Sequence, residues 1–501
     1  MDAVPAFGSE PPTGARPSVG RNAAVLLGSQ GITAVLGVLL TFVQPRFLGP
    51  EGQGRLRLAA SIWVIVEVLV SLGTGLFLTV EVARRPWMSR PLLRQSIKVR
   101  LIGYAAAWPF VLLFLKLAGY GFDLTIVAVI TGVGSLFGLV ASASRAALYG
   151  LQEMRPIGRL DVMVKILVVG ATVTALILGF RVRAVASITV AAAVLSAFYL
   201  ARAVRRLAPP ARESDPNFPF VLRASVVFLI TEASAIVYQQ VDTVLMAVLA
   251  DAKAIGYYAA SYVLVASLLF VPTILLTAMF PEIARLHDQE PERLQGLLRR
   301  SFLALAPIGV MLGAGTILVA DNVAVLLYGP AFAKTGPVLA VFGAVMTLGY
   351  FTILMGRFAL ATGRAPFWNR LMITGIVLTF PLDFVLIPWT KREFDNGALG
   401  GAIAFVVTEF VMVIAGILKL DRSLFDRVAL TRYVKCMIAA AALLAAGWPL
   451  RDRVVVIPAA VGALAYVLSI VVLRTLSPDE KSMIKQLVSR LTKHRREARV
   501  E

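Results

Sequence analysis

Apolar runs about twenty residues long follow one another from residue 22 to residue 473, parted only by short polar turns. No other feature limits the possible folds so tightly. A run of that length, coiled as a helix, spans the hydrocarbon core of a bilayer and satisfies its own backbone hydrogen bonds there. The expected class is all-α and polytopic. About fourteen transmembrane helices are expected, at 22–48, 58–80, 99–118, 123–149, 162–180, 184–204, 221–249, 259–280, 298–320, 337–362, 371–387, 400–420, 433–448 and 454–473. The composition agrees: 58% of the residues are hydrophobic and the mean hydropathy is +0.81.

Charge sets the expected orientation. The chain carries 49 Lys and Arg against 29 Asp and Glu, a net +20. With the amino terminus inside, most basic residues fall in inner segments. Arg84, Arg85, Arg90, Arg94 and Lys98 share one, and Arg202, Arg205, Arg206 and Arg212 another. Basic loops stay in the cytoplasm, so both termini are expected there, with the chain in the cell inner membrane. The charges are scattered through short loops and form no groove, which excludes nucleic acid as a partner. A single cysteine, Cys436, rules out an intramolecular disulfide, and two distant histidines, His287 and His494, support no metal site. No nucleotide-binding GxxxxGK[ST] loop and no Ser/His/Asp set is present. The chain is therefore read as no enzyme and as needing no cofactor.

The sequence repeats itself. Gly54 in PEGQGRLRLAAS closes a turn between two apolar runs, and Gly256 in ADAKAIGYYAAS does the same about two hundred residues later. Glu81-Val82-Ala83-Arg84 is echoed by Glu282-Ile283-Ala284-Arg285, and Ser29-Gln30 by Thr231-Glu232, at nearly the same offset. Membrane-length segments repeated in this way suggest two bundles facing across a shared space. The expected organisation is a disordered cytoplasmic lead at 1–21, an N-lobe at 22–207, a cytoplasmic linker at 208–220 and a C-lobe at 221–420. Two pseudo-symmetric six-helix lobes are thus followed by two C-terminal helices at 433–473. Ser477, Pro478 and Glu480 signal a helix start, and Ile484, Leu487, Val488 and Leu491 then share one face. The segment 477–501 is expected as a basic amphipathic helix on anionic membrane lipids.

A charge in lipid is costly and calls for a reason. The candidate substrate or cavity residues are Glu67 in mid-span, Glu232, Gln239 and Asp242 along one side of span seven, and Arg145 and Arg357 near the inner ends of spans four and ten. Asp383 and Glu409 are further acids inside spans. For the acids, a substrate contact or a cation site competes with an interhelical hydrogen bond. For the arginines, bidentate pairing with phosphate competes with snorkelling to lipid headgroups. Gly134-x-x-x-Gly138 and Gly309-x-x-x-Gly313 are read as close helix packing.

Four turns carry a resemblance. Phe47-Leu48-Gly49-Pro50-Glu51-Gly52-Gln53-Gly54 resembles the first outer turn of the polysaccharide (O-antigen and exopolysaccharide) flippases of the multidrug/oligosaccharidyl-lipid/polysaccharide exporter superfamily. Leu327-Tyr328-Gly329-Pro330-Ala331-Phe332, Ala361-x-Gly363-Arg364 and Gly256-Tyr257-Tyr258-x-Ala260 resemble the turns after their ninth and tenth spans and the start of their eighth. The resemblance implies two six-helix lobes around a central cavity. Alternating access would carry an undecaprenyl-type lipid-linked sugar across the membrane, with polysaccharide assembly proteins as further partners. The lipid II flippases carry an arginine early in span eight where this chain has Ser261, which argues against a peptidoglycan precursor. A cation-coupled multidrug antiporter of the same superfamily is the main alternative, followed by a membrane glycosyltransferase or polymerase and by a non-transporting scaffold for envelope assembly.

Overall fold

The computed structural model describes residues 19–211, 217–269, 289–420 and 426–475, with part of 270–288. The lead up to residue 18 and the tail helix expected at 477–501 lie outside the described residues. Among the described residues every regular element is helical. The N-terminal half holds α1 (Val19–Ser71), α2 (Thr74–Arg84), α3 (Ser89–Leu117), α4 (Phe122–Gly150), α5 (Met154–Ile177) and α6 (Val182–Leu207). The C-terminal half holds α7 (Phe218–Leu249), α8 (Ala252–Leu268), α9 (Pro291–Tyr328), α10 (Thr335–Ala361), α11 (Ala365–Phe394) and α12 (Gly397–Leu420), followed by α13 (Arg427–Gly447) and α14 (Val456–Val472).

Among the described residues, ten helices are long and apolar enough to cross a membrane, or eleven with the bent α7. The first of these merges two spans: α1 turns back at Gly49 (φ 69°, ψ 173°), a conformation that costs a residue with a Cβ dearly. Pro45 stays within helix, and the break falls four residues later. The span at 454–473 appears as the shorter apolar helix α14, and the span at 259–280 runs beyond α8 into partly described residues. A count of about fourteen crossings is consistent with this. Large apolar side chains such as Phe110, Val385 and Leu464 point outward, which suits lipid as solvent.

Helices α1–α6 pack on one another, as do α7–α12. The pair α13 and α14 docks on α9 through Val310, Ala314 and Leu318 against Cys436, Ala439, Leu443 and Tyr466. Lipid offers no hydrophobic drive between helices, so close approach and buried hydrogen bonds hold the bundle. Gly313 does this against α10, where an added Cβ would stand 2.5 Å from the Gly343 carbonyl oxygen. Tyr466 likewise donates to the Pro307 carbonyl at 2.8 Å.

The lobes meet where α1 and α2 lie against α7 and α8. The two glycines aligned by the repeat meet there. A Cβ on Gly54 would fall 1.7 Å from the Ala252 carbonyl oxygen, and one on Gly256 would fall 2.0 Å from that of Pro50. Backbone touches backbone at this crossing, so only glycine fits at either position.

Candidate functional site

The polar interior falls into three groups. The first lies at the lobe contact. Ser61 on α1 donates to the Gln240 side-chain oxygen at 2.8 Å, and Arg57 donates to the same oxygen at 3.3 Å. The Arg57 guanidinium also lies 6.0 Å from the centre of the Tyr262 ring, within the range of a cation–π contact. Tyr262 is a wall of a cavity of about 440 Å³, whose polar lining includes Gln239, Thr352, Arg357 and Glu409. Trp368 and Phe405 add aromatic faces. These lining residues all belong to the C-terminal half.

The second group is acidic and lies inside the C-lobe. Tyr238 donates to Glu409 at 2.8 Å and Thr352 to its other oxygen at 2.6 Å. Tyr258 donates to Asp242 at 2.6 Å, and Asp383 is buried near enough to Asp242 for the two carboxyl groups to interact, without a hydrogen bond to either Asp383 oxygen among the described residues. All three acids are buried. Hydroxyl donors satisfy part of the hydrogen-bonding capacity of Glu409 and Asp242, neither Asp383 oxygen has a hydrogen-bond partner, and no ion pair to any of the three is found among the described residues. Two carboxyl groups side by side in a low-dielectric interior are stable only with a proton or a cation between them.

The third group joins the N-lobe to α7. Arg100 is fully buried. It donates through Nε to Thr74 at 2.8 Å and through Nη1 to Ser142 at 2.7 Å and the Leu139 carbonyl at 3.1 Å. Glu232 reaches across from α7 and accepts from the Leu76 backbone N–H at 2.7 Å.

The six sequence candidates therefore separate. Gln239 and Arg357 line the cavity. Asp242 lies one layer behind it in the acidic group. Glu232 is taken up by α2. Glu67 sits inside the N-lobe, hydrogen-bonded by Ser135 and packed against Gly138 of α4. Arg145 pairs with Asp161 of α5 through two bonds of 2.7 and 3.0 Å. Sequence reasoning passed over Arg57, Arg100, Tyr238, Tyr258 and Thr352. Arg57 reads as a loop charge because it follows Arg55 by two residues, and Arg100 falls at the margin of an apolar run. The tyrosines carry no pattern that separates them from core aromatics. Ser261, the position of the family arginine, is buried and donates to the Tyr257 and Thr335 carbonyls, so it brings no charge to the cavity.

The family model for polysaccharide biosynthesis protein matches residues 19–287. No curated protein matches by sequence. Among solved structures, the lipid II flippase MurJ in an inward closed conformation is 13% identical and superposes on 89% of this chain and 97% of its own with a TM-score of 0.69. An inward-facing multidrug resistance MATE family transporter of the MOP superfamily is 15% identical, covers 79% of this chain and 98% of its own, and has a TM-score of 0.59. The Vibrio cholerae MATE transporter VcmN in its bent form, 15% identical, covers 81% and 97% with a TM-score of 0.50. At these identities the likeness establishes the shared fold.

Proposed function

Because the chain belongs to the polysaccharide biosynthesis protein family, we propose that it is a flippase for a lipid-linked oligosaccharide or polysaccharide precursor, working by alternating access in the bacterial inner membrane. The observation that carries this reading is the cavity among the C-lobe helices with arginine at its wall. Arg357 lines it directly, and Arg57 stands behind the Tyr262 face. A lipid diphosphate sugar needs a cationic seat for its phosphates and hydrogen-bonding side chains for its first sugar, while its tail stays in lipid. Guanidinium groups pair phosphate oxygens bidentately, and Gln239, Thr352 and the aromatic walls suit a sugar. The work is translocation without covalent chemistry. An undecaprenyl-type carrier fits the bacterial setting, both termini face the cytoplasm, and assembly proteins would receive the product.

The test is a deletion strain carrying plasmid copies of the gene. Lipid-linked glycan should accumulate in a form protected from membrane-impermeant periodate in intact cells. Wild type should restore its exposure; Arg57→Ala and Arg357→Ala should restore little of it at normal protein levels. Unchanged glycan exposure in the deletion strain would overturn the reading. The acidic group favours a second reading, cation-coupled export of small molecules, which unchanged glycan with altered drug tolerance would support. The same group serves either reading as the site of ion coupling.

A further inference from the structure

The inner half of the second span is a helix whose cap comes from the other lobe. Leu72 (φ 48°) and Gly73 (φ 74°) break the span, and α2 begins again at Thr74. Its N-cap residue is Gly73, so it has no side chain to accept from the free N–H groups of the first turn. Uncapped N–H groups in a bilayer are costly. The missing acceptor is Glu232 of α7. Its Oε1 takes the Leu76 N–H at 2.7 Å, and its Oε2 lies 3.4 Å from the Ser71 hydroxyl that donates to it. The buried Arg100 guanidinium flanks Gly75 from another side. A Cβ on Gly75 would stand 2.7 Å from Glu232 Oε1 and 3.6 Å from Arg100 Nη2. The carboxylate thus meets the positive end of a helix and a cation together.

The same place holds the bend of α7. Its two segments, Phe218–Val226 and Phe228–Leu249, differ in direction by 52°. The first segment belongs to the N-lobe side, where Val221 joins the core of Phe77, Leu78 and Val82. The second packs on α11 and α12 of the C-lobe. Gly73 lets the backbones touch at the bend: its Cβ would fall 2.3 Å from the Ser225 carbonyl oxygen and 2.6 Å from the Leu229 nitrogen. Glu232 follows about one turn after the bend.

We propose that Glu232 is a latch: by capping α2 across the lobe boundary it holds the lobes together on the side bearing Arg84 and Arg205, and the cavity opens to that side only when the carboxylate leaves its seat. Withdrawal strips α2 of its cap and leaves Arg100 without the facing carboxylate. The closed state is therefore favoured until substrate or ion binding elsewhere offsets that loss. Glu232 is on this account a positioning residue, one turn before the cavity-lining Ala235, and it need not touch substrate. The proposal rests on alternating access for its consequence, but its test needs no substrate.

The reporter is Ala235→Cys in the full chain. The native Cys436 is buried in the α9–α13–α14 core and stays silent to a membrane-impermeant maleimide. Labelling rates are measured in right-side-out and inverted vesicles. Adding Glu232→Leu, which removes the acceptor oxygens, should raise the rate on one side about fivefold or more, the lower end of an ordinary coupling between two states. Gly75→Ala, which leaves Glu232 in place and pushes its carboxylate off the seat, should act in the same direction. Glu232→Gln, which keeps an oxygen acceptor for the Leu76 N–H and loses only the charge facing Arg100, should fall between the parent and Glu232→Leu. If Glu232→Leu fails to accumulate, Gly75→Ala decides. Equal rates in parent and variants would overturn the latch. A raised rate, with the wild-type protein moving no lipid-linked glycan, would keep the latch and sink the flippase.

Discussion

The two lobes share a fold but handle buried charge in opposite ways. In the N-lobe every buried or half-buried charge described above has a partner of opposite sign or a set of neutral donors and acceptors. Arg145 is paired with Asp161, and Arg100 is held by Thr74, Ser142 and the Leu139 carbonyl and faced by Glu232. In the C-lobe three buried acids lie near one another, two of them held by hydroxyl groups and Asp383 by none, with no ion pair among the described residues. A matched charge set stabilises one arrangement, whereas an unmatched acidic set leaves room for a mobile cation or proton. On the proposed reading, the N-lobe is the rigid partner and the C-lobe acids are where a coupling cation would sit.

The comparison can be broken most directly at Arg100. Arg100→Met removes a buried cation from three acceptors and from Glu232, and should cost about 3 kcal/mol or more, seen as a large fall in Tm in detergent. A variant as stable as wild type would mean that the N-lobe charges are not structural. In the C-lobe the expectation reverses. Asp383→Asn relieves a carboxyl pair, so Tm should hold or rise while transport falls about tenfold, as for a lost coupling between sites. Loss of stability with intact transport would erase the distinction between the lobes.

A smaller effect is expected at Asp426, outside the spans. It caps α13 by accepting from the Ala429 N–H at 2.7 Å and pairs with Arg299. The Ala429 N–H, and then the Arg299 charge, hold its carboxyl below the usual range. A depressed carboxyl stabilises the fold above its unfolded pKa, near 3.9, and that stability is lost as pH falls through the lower folded value. Asp426→Ala should cost about 1 kcal/mol at pH 7. In thermal melts the gap from wild type should be constant from pH 7 to 5 and shrink below about pH 4. The smallest change is expected from Arg145→Ala. Its ion pair is 30% exposed on both sides and should contribute about 1 kcal/mol or less, with transport unchanged. A strong transport defect there would restore Arg145 as a phosphate contact.

Much of the architecture was legible before any coordinates. Span length follows from bilayer thickness, and the repeat pointed to paired lobes. It also singled out Gly54 and Gly256, which touch at the lobe boundary. The candidate site was legible only in part. Periodicity placed Glu232, Gln239 and Asp242 on one side of one helix, yet the three have different surroundings. Glu232 caps α2, Gln239 faces the cavity, and Asp242 meets Tyr258 and Asp383.

What the sequence alone determined is the class of fold, because the bilayer admits one solution for a long apolar run: a helix that closes its own hydrogen bonds. Tertiary structure alone decided what each buried charge is for. A charge is defined by its partner, and the partners here lie far away in the chain, as with Glu232 and Leu76, 156 residues apart. The pattern along a helix gives the direction of a side chain, and only packing gives what stands opposite.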